Sequence, residues 1–370
     1  MELNKRTDIV LTLDAGGTNF VFSAIRAAEE IVKPVSLPAN GNNLTISLEN
    51  IIKGFNEVKK QLSDEPVAIS FAFPGPADYP NGIIGDCGNL TAFRGGIALA
   101  PMLEDEFKIP VFINNDGDLF AYGEAIMGFL PAINQDLERL GISRKYNNLL
   151  GVTLGTGFGA GIVHNGQLYL GDNSAGAEIW VSRSGYYPEV FAEENISIRA
   201  VQRMYALKAG IKQDNGLSPK DIYLIAQGLF PGNMEAARWS FNEMGKVLGD
   251  VLANAITLLD CNVVIGGGLS NAYPFFAPAM LEQLNGKIST FNNSSVDRLE
   301  IKAFDLENEE SKANFFSRNP KLVTVPNSNR EVLYNWQKQI GVGLSKLGTS
   351  KAVAIGAYAF ALNKFASPFR

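Results

Sequence analysis

The chain has 370 residues, enough for two domains with separate hydrophobic cores, because one core rarely grows beyond about 250 residues. Its 46% hydrophobic and 19% charged residues are typical of a globular protein and argue against long disordered regions. The net charge of −6 argues against a nucleic-acid surface, and without a signal segment or a run of about 18 apolar residues we expect a cytoplasmic protein with no membrane partner.

The first predicted elements surround a glycine turn. Residues 9–13 (IVLTL) and 20–25 (FVFSAI) are apolar and rich in β-branched side chains, so both are predicted strands. The stretch 14–18 (DAGGT) between them predicts a tight turn. Apolar runs at 67–73 and 111–114 predict two further strands.

Two amides and a carboxylate end the strand at 111–114. Asp116 precedes a helical pattern, and an aspartate at that place is commonly a helix N-cap, which is the more frequent role when the stretch is taken alone. If the strand ends at a ligand cleft, Asp116 could instead accept the proton of a substrate hydroxyl, and Asn115 could hold a neighbouring hydroxyl. Both interpretations stay open at this point.

A second strand-turn-strand unit begins at residue 149. Residues 149–154 (LLGVTL) and 158–163 (FGAGIV) flank 155–157 (GTG), in the same arrangement as the first unit. The repetition predicts a duplicated domain, with the boundary near 114–116.

The last third of the chain contains the longest predicted helix. Apolar side chains spaced three and four apart predict a helix within 234–260, followed by a strand at 262–265 and a third glycine turn at 266–268. Residues 352–362 predict a closing helix. Residues 285–330 are rich in Asn, Ser, Glu and Lys, and we expect them to form a peripheral excursion and not a part of the sheet core.

The three glycine turns share a physical property. Without Cβ atoms, their N–H groups can approach phosphate oxygens closely, and Thr18 and Thr156 add hydroxyl donors. Each turn alone could equally be a tight hairpin, but three in matching context favour a polyphosphate held between two lobes. Asp14, just ahead of the first turn, is either an ordinary turn residue or the partner of a cation, for which Mg²⁺ bound through water is the natural candidate.

Cysteine and histidine are scarce. Cys87 and Cys261 are far apart in sequence, which predicts neither a disulfide framework nor a zinc site. His164 is the single histidine, so proton transfer is expected to rely on carboxylates or lysines. Its position on a predicted hairpin indicates a structural or exposed residue.

Five motifs follow one another in a recognisable order. They are DAGGT (14–18), INND (113–116), LGTGFGAG (154–161), AGAEI (175–179) and VIGGG (264–268). Together they resemble the motifs of the ROK family of sugar kinases, and the resemblance extends from about Leu11 to the final helix.

The resemblance implies an α/β fold with two RNase H-like (actin-like ATPase) domains around an interlobe cleft. The N-terminal lobe would comprise residues 1–114 and be completed by the C-terminal helix at 351–370. The C-terminal lobe would comprise residues 115–350, with the polar excursion near 285–330.

The resemblance also implies an ATP-dependent carbohydrate kinase that acts on a hydroxyl, expected to be the 6-hydroxyl, of a hexose or N-acetylhexosamine. Asp116 matches the catalytic base, and Mg²⁺ is expected near Asp14 through water. The residues that match ATP-binding positions are Asp14, Gly16, Gly17, Thr18, Gly155, Thr156, Gly157, Gly266, Gly267 and Gly268. Those that match sugar-binding positions are Asn89, Asn115, Glu178 and Glu193.

The chain departs from the family pattern after Glu178. Val181 stands where many members have a histidine, and the cysteine-rich zinc motif that follows in those members is missing, so no zinc is expected. One sugar contact is lost with the histidine, and Trp180 or Tyr186 could reshape the sugar pocket. The identity of the sugar therefore stays open.

A catalytically silent sugar-binding or regulatory protein of the same fold is the alternative. ROK-like repressors carry a helix-turn-helix ahead of the first phosphate motif, whereas 13 residues precede Asp14, too few for a DNA-binding domain. The expected partner is a hexose or amino-sugar substrate, with no nucleic acid. The oligomeric state, a homodimer included, is left open.

Overall fold

The structure is a computed structural model that describes residues 3–88, 90–317 and 320–366. The described strands are β1 (Val10–Ala15), β2 (Asn19–Arg26), β3 (Glu29–Glu30), β4 (Val35–Pro38), β5 (Ala68–Ala72), β6 (Ala77–Asp78), β7 (Ile83–Ile84), β8 (Ile97–Ala98), β9 (Val111–Asn114), β10 (Leu149–Leu154), β11 (Phe158–His164), β12 (Gln167–Tyr169), β13 (Asn262–Gly266), β14 (Lys287–Ser289), β15 (Ser295–Asp297), β16 (Lys302–Asp305), β17 (Lys321–Thr324), β18 (Glu331–Tyr334) and β19 (Gln339–Leu344). The α-helices are α1 (Leu44–Lys59), α2 (Leu99–Phe107), α3 (Asp116–Ile126), α4 (Phe129–Arg139), α5 (Ile198–Ala209), α6 (Pro219–Gln227), α7 (Met234–Leu259), α8 (Tyr273–Leu284), α9 (Glu309–Phe316) and α10 (Thr349–Ala366).

Contacts divide the chain into two compact units. The first unit contains Met1–Pro131, Gly161–Ala177 and Lys346–Arg370, and the second contains Ala132–Ala160 and Glu178–Ser345. The lobe boundaries expected from the family resemblance stay a prediction. Within the described residues, none of the helices combines the length and the apolar character that crossing a membrane would require.

The first unit is built on a sheet with the order β3-β2-β1-β5-β9, in which β4 also pairs with β2. β1 is antiparallel to β2, and β1, β5 and β9 are parallel. Their inward residues form an aromatic core, which α1 covers with Ile51, Phe55 and Val58. The strands predicted from residues 9–13, 20–25, 67–73 and 111–114 are confirmed.

Helices α3 and α10 pack very closely within the first unit. A Cβ atom added to Gly123 of α3 would lie 2.0 Å from the carbonyl oxygen of Ala352, and one added to Gly356 of α10 would lie 1.9 Å from that of Leu119. The two helices can approach this closely only because both positions are glycine. α3 begins at Asp116, so this packing fixes the helix that follows the Asn-Asn-Asp stretch.

The second large sheet has the order β12-β11-β10-β13-β19-β16. β10, β13, β19 and β16 are parallel, and β13 is buried along its whole length, as expected for a strand covered on both faces. The long helix predicted before this strand is α7, and the closing helix is α10. Both predictions are confirmed.

The polar stretch at 285–330 is only partly peripheral. β16 (Lys302–Asp305) pairs with β19 and adds an edge strand to the sheet, which the prediction of a peripheral excursion did not include. Ala303 is its one buried residue, which is why an edge strand of this composition gave no apolar signal. The hairpins β14-β15 and β17-β18 are exposed at every position.

Candidate active site

The first glycine turn follows β1 directly. Asp14 is exposed near the end of the strand, and Gly16, Gly17 and Thr18 lead into β2. A Cβ atom added to Gly17 would meet no atom within 4 Å, so the space over this backbone is open. Such a turn can receive a phosphate oxygen at its N–H groups.

Asp116 is the first residue of α3, at the end of β9. Asn115 is the N-cap, and its Oδ1 accepts the N–H of Gly117 at 2.7 Å. Oδ1 of Asp116 accepts the same N–H at 2.8 Å. The N-cap role that was open for Asp116 therefore belongs to Asn115, so capping does not explain the aspartate.

Asp14 and Asp116 lie at the same edge of the first sheet. Asp14 is in register with Ala72, and Ala72 with Asn114, so both carboxylates follow the ends of neighbouring parallel strands. Although solvent reaches Asp116, protein atoms crowd its carboxyl group, and this desolvation raises its pKa. Hydrogen bonds from the backbone N–H groups of Gly117 and Asp116 oppose the rise in pKa, and the negative charge of Asp14 adds to it.

The second and third glycine turns are adjacent in the second unit. Gly155, Thr156 and Gly157 join β10 to β11, while Gly266 ends β13. Gly267 has φ +86°, and a Cβ atom there would lie 2.3 Å from the carbonyl oxygen of Leu154. Glycine is therefore required for the close approach of the two turns.

Both turns leave open space above their backbones. An added Cβ atom at Gly155 or Gly268 would meet nothing within 4 Å. A ligand atom can therefore approach the backbone at these two positions, and an N–H group can bond a phosphate only where the oxygen can come close.

Glu193 lies against the second glycine turn. Its Oε2 accepts the N–H of Phe158 at 2.9 Å, and its Oε1 accepts a hydrogen bond from Arg199 at 2.8 Å. A Cβ atom on Gly157 would lie 2.8 Å from Oε2, so this glycine makes room for the carboxylate. Glu193 thus has a structural contact with the turn that the sequence did not predict.

Glu178 is exposed, and its carboxylate accepts the indole N–H of Trp180. Val181, at the position of the family histidine, is also exposed. Asn89, the remaining predicted sugar ligand, lies outside the described residues.

The segment after Glu178 is attached to α7 through a carboxylate. Asp250 accepts the hydroxyl of Ser184 at 3.0 Å and the N–H of Gly185 at 2.8 Å, and it lies 3.6 Å from Arg298. The sequence analysis predicted no role for Asp250 or Arg199, because single charged residues on amphipathic helices are ordinarily solvated surface residues.

The donor atoms suit a magnesium ion that accompanies a nucleotide. Mg²⁺ is usually bound by one or two carboxylates together with phosphate oxygens and water, and the exposed carboxylate of Asp14 beside a phosphate-sized turn fits that pattern. In the part of the chain that the structure describes, no three His, Cys, Asp or Glu side chains cluster as a metal site. The absence of zinc stays a prediction.

No catalytic role is assigned to His164, Cys87 or Cys261. His164 is exposed at the end of β11, as predicted. Cys87 and Cys261 are free and buried, and burial raises the pKa of the Cys261 thiol to about 12.

The sequence and the fold of this chain are similar to those of known glucokinases. A model described as the ROK family matches residues 10–311. A glucokinase of Parabacteroides distasonis ATCC 8503 is 51% identical, and its crystal structure matches with a TM-score of 0.89 over 98% of this chain and 99% of that chain. A glucokinase of Halalkalibacterium halodurans is 27% identical over 285 residues, which are 70% of this chain and 80% of the relative.

A solved structure with lower sequence identity has the same fold. A ROK family glucokinase of Streptomyces griseus, solved with glucose and AMPPNP, has a TM-score of 0.60 at 17% identity over 95% of this chain and 98% of that chain. The predicted α/β fold, the two-domain actin-like ATPase fold, is thereby confirmed.

Proposed function

Since the chain belongs to the ROK family and is an ATP-dependent sugar kinase, we propose that Asp116 is the general base for phosphorylation of a hexose or N-acetylhexosamine. The 6-hydroxyl is the proposed acceptor. Glucose is the first candidate substrate, because the relative with 51% identity is a glucokinase.

In the proposed reaction, the sugar hydroxyl transfers its proton to the carboxylate of Asp116 as its oxygen forms a bond to the γ-phosphorus. The bond between that phosphorus and the bridging oxygen breaks, and ADP leaves with the electron pair. Only part of the acceptor capacity of Asp116 is taken by Gly117, since a carboxylate offers about four lone-pair sites. A raised pKa brings the base closer to the operating pH, which favours general-base catalysis.

Phosphate-binding roles are proposed for Gly16, Gly17 and Thr18 of the first turn and for Gly155, Thr156 and Gly157 of the second. The same role is proposed for Gly266, Gly267 and Gly268 of the third turn, which lies beside the second. Asp14 would hold Mg²⁺ through water, and this ion would neutralise charge on the phosphates. The proposed sugar ligands are Asn89, Asn115, Glu178 and Glu193.

The proposed sugar site differs in specificity from that of relatives with a histidine here, because the Val181 side chain has no polar atom that could bond a sugar hydroxyl. The cytoplasmic location and the lack of a nucleic-acid partner stay predictions, as does a homodimer.

The observation that carries the proposal is the carboxylate of Asp116 at the carboxyl edge of the first sheet, in line with Asp14 and its glycine turn. A coupled ADP-release assay across glucose, mannose, fructose, N-acetylglucosamine and N-acetylmannosamine tests the activity. We expect MgATP-dependent turnover with at least one sugar. A folded protein that turns over none of them would contradict the kinase assignment.

A further inference from the structure

The hydrogen bonds around the second glycine turn assign a function to a residue outside the turn. We propose that Arg199 is a positioning residue that holds Thr156 and Glu193, so that the N–H groups of the turn face the phosphates of ATP. The inference rests on the proposed function, because it concerns the nucleotide site of the same enzyme.

The carbonyl oxygens of the turn all point back toward protein donors. Gly155 O accepts the N–H of Ile198 at 2.9 Å, Thr156 O accepts Nη1 of Arg199 at 3.4 Å, and Gly157 O accepts the N–H of Gly155 at 3.0 Å. Among the described residues, no backbone hydrogen bond engages the N–H of Thr156 or Gly157. A turn whose carbonyl oxygens accept hydrogen bonds from the protein, and whose N–H groups at Thr156 and Gly157 are not used by the backbone, can bind an anion.

Arg199 also holds the residue that braces the far end of the turn. Its Nη2 donates to Glu193 Oε1 and to Glu194 Oε1, both at 2.8 Å, and its Nε donates to the same Glu194 oxygen at 3.0 Å. Glu193 in turn accepts the N–H of Phe158, the first residue after the turn. One guanidinium therefore reaches both sides of the turn, directly at Thr156 and through Glu193 at Phe158.

The planar shape of the guanidinium matters here. Its N–H groups donate hydrogen bonds in fixed directions and can reach several acceptors at once. A lysine ammonium is a compact charge at the end of a flexible side chain. A glycine turn has little rigidity of its own, so its N–H groups are pre-organised for phosphate only if neighbouring groups hold the backbone.

The contribution of Arg199 to stability is expected to be small. Its side chain is 42% exposed, and ion pairs at that exposure are weak in water. An effect of its removal on nucleotide binding can thus be separated from an effect on folding.

The test compares Arg199→Gln and Arg199→Lys with Arg203→Gln. Arg203 lies one turn further along α5 and bonds Glu194 and Asn195, but it donates to neither Thr156 nor Glu193. Isothermal titration with MgADP and, separately, with the sugar turned over by the wild type gives both dissociation constants, and steady-state kinetics gives kcat and each KM.

We expect Arg199→Gln to weaken MgADP binding and raise the KM for ATP at least tenfold, with a smaller change in sugar affinity. Arg199→Lys should recover part of the loss, and Arg203→Gln should stay within threefold of the wild type. Thermal unfolding of all three variants should remain close to that of the wild type.

Unchanged MgADP binding in Arg199→Gln, or an equal loss in Arg203→Gln, would overturn the inference while leaving the kinase assignment intact. If Arg199→Gln fails to fold, Arg199→Lys decides, and wild-type nucleotide affinity in that variant would count against the proposal. A wild-type protein that binds no nucleotide would overturn the proposed function together with the inference.

Discussion

At the scale of single residues, the surroundings of Asp116 perturb its carboxyl group. Desolvation by the surrounding protein and the charge of Asp14 both favour its protonated form. Its pKa therefore lies above the ordinary aspartate value of about 3.9.

This shift predicts the pH dependence of the reaction. A base must be ionised to accept a proton, so kcat/KM for the sugar should fall as pH drops through the pKa of Asp116 in the form of the enzyme that binds the sugar. We expect the acid limb of a pH profile, measured at saturating MgATP with varied sugar, to give an apparent pKa clearly above 3.9. A limb at or below that value would show that an unshifted carboxylate, and not Asp116 as placed here, controls the rate.

Gly155 offers a test of the phosphate cradle. In Gly155→Ala the new methyl group meets no protein atom within 4 Å, so apparent Tm should change by no more than about 2 °C. The methyl group would occupy the space above the turn, and we expect the KM for ATP to rise roughly tenfold, or about 1.4 kcal/mol. Steady-state kinetics and thermal unfolding measure both. An unchanged KM for ATP would show that the nucleotide does not use this turn.

Sequence reasoning found residues whose signal is local and missed those whose partners are distant. The glycine turns and Asp116 stand in short motifs at strand ends, where the pattern itself carries information. Arg199 reaches Thr156, and Asp250 reaches Gly185, only when α5 and α7 meet loops far away in sequence. The spacing of residues in a single sequence does not predict such long-range contacts.

At the scale of elements, α10 holds α3 in place. The carbonyl of Leu119 in α3 lies where a side chain on Gly356 would project. Because α3 begins at Asp116, a displacement of this helix would also displace the proposed base.

Gly356→Ala should therefore lower both stability and rate. Alanine normally favours a helix over glycine, but here its methyl group would sit 1.9 Å from a backbone oxygen, and overpacking of this kind costs about 1–3 kcal/mol. We expect apparent Tm to fall by a few degrees and kcat to fall with it. Gly155→Ala, the same change at an open position, is the control for the measurement of Tm. A Gly356→Ala protein as stable as the wild type would mean that the helices are not in this close contact.

Strands with uninterrupted apolar runs were predictable, whereas the edge strand β16 and the internal strand β19 were not. β1, β5, β9, β10 and β13 are apolar runs bounded by glycine, proline or polar residues, so their composition reveals them. β16 buries only Ala303, and β19 (QIGVGL) has its apolar residues diluted by two glycines. Both are set by pairing within the sheet, which a single sequence does not encode locally.

At the scale of the whole molecule, composition predicted a globular protein, and the ordered motifs predicted the family and the fold. The identity of the sugar was not predictable, because Val181 replaces the family histidine and the segment after Glu178 is held instead by hydrogen bonds to Asp250.

The central claim is that this chain transfers phosphoryl groups with Asp116 as its base. Asp116→Asn should bind MgATP and sugar within about threefold of the wild type. Because the folded-state pKa of Asp116 is raised, its ionised form disfavours folding above that pKa, and removing the charge should not lower Tm at pH 7. Asp105→Asn, which changes an exposed carboxylate on α2, is the matched control and should behave as the wild type.

Single-turnover transfer of the γ-phosphoryl group to the sugar, measured by rapid quench with Asp116→Asn at saturating MgATP, tests the claim most directly. The predicted result is a rate at least roughly 10²-fold below that of the wild type and of Asp105→Asn. A rate within a few-fold of the wild type would show that another group accepts the proton, and the assignment of Asp116 would be wrong.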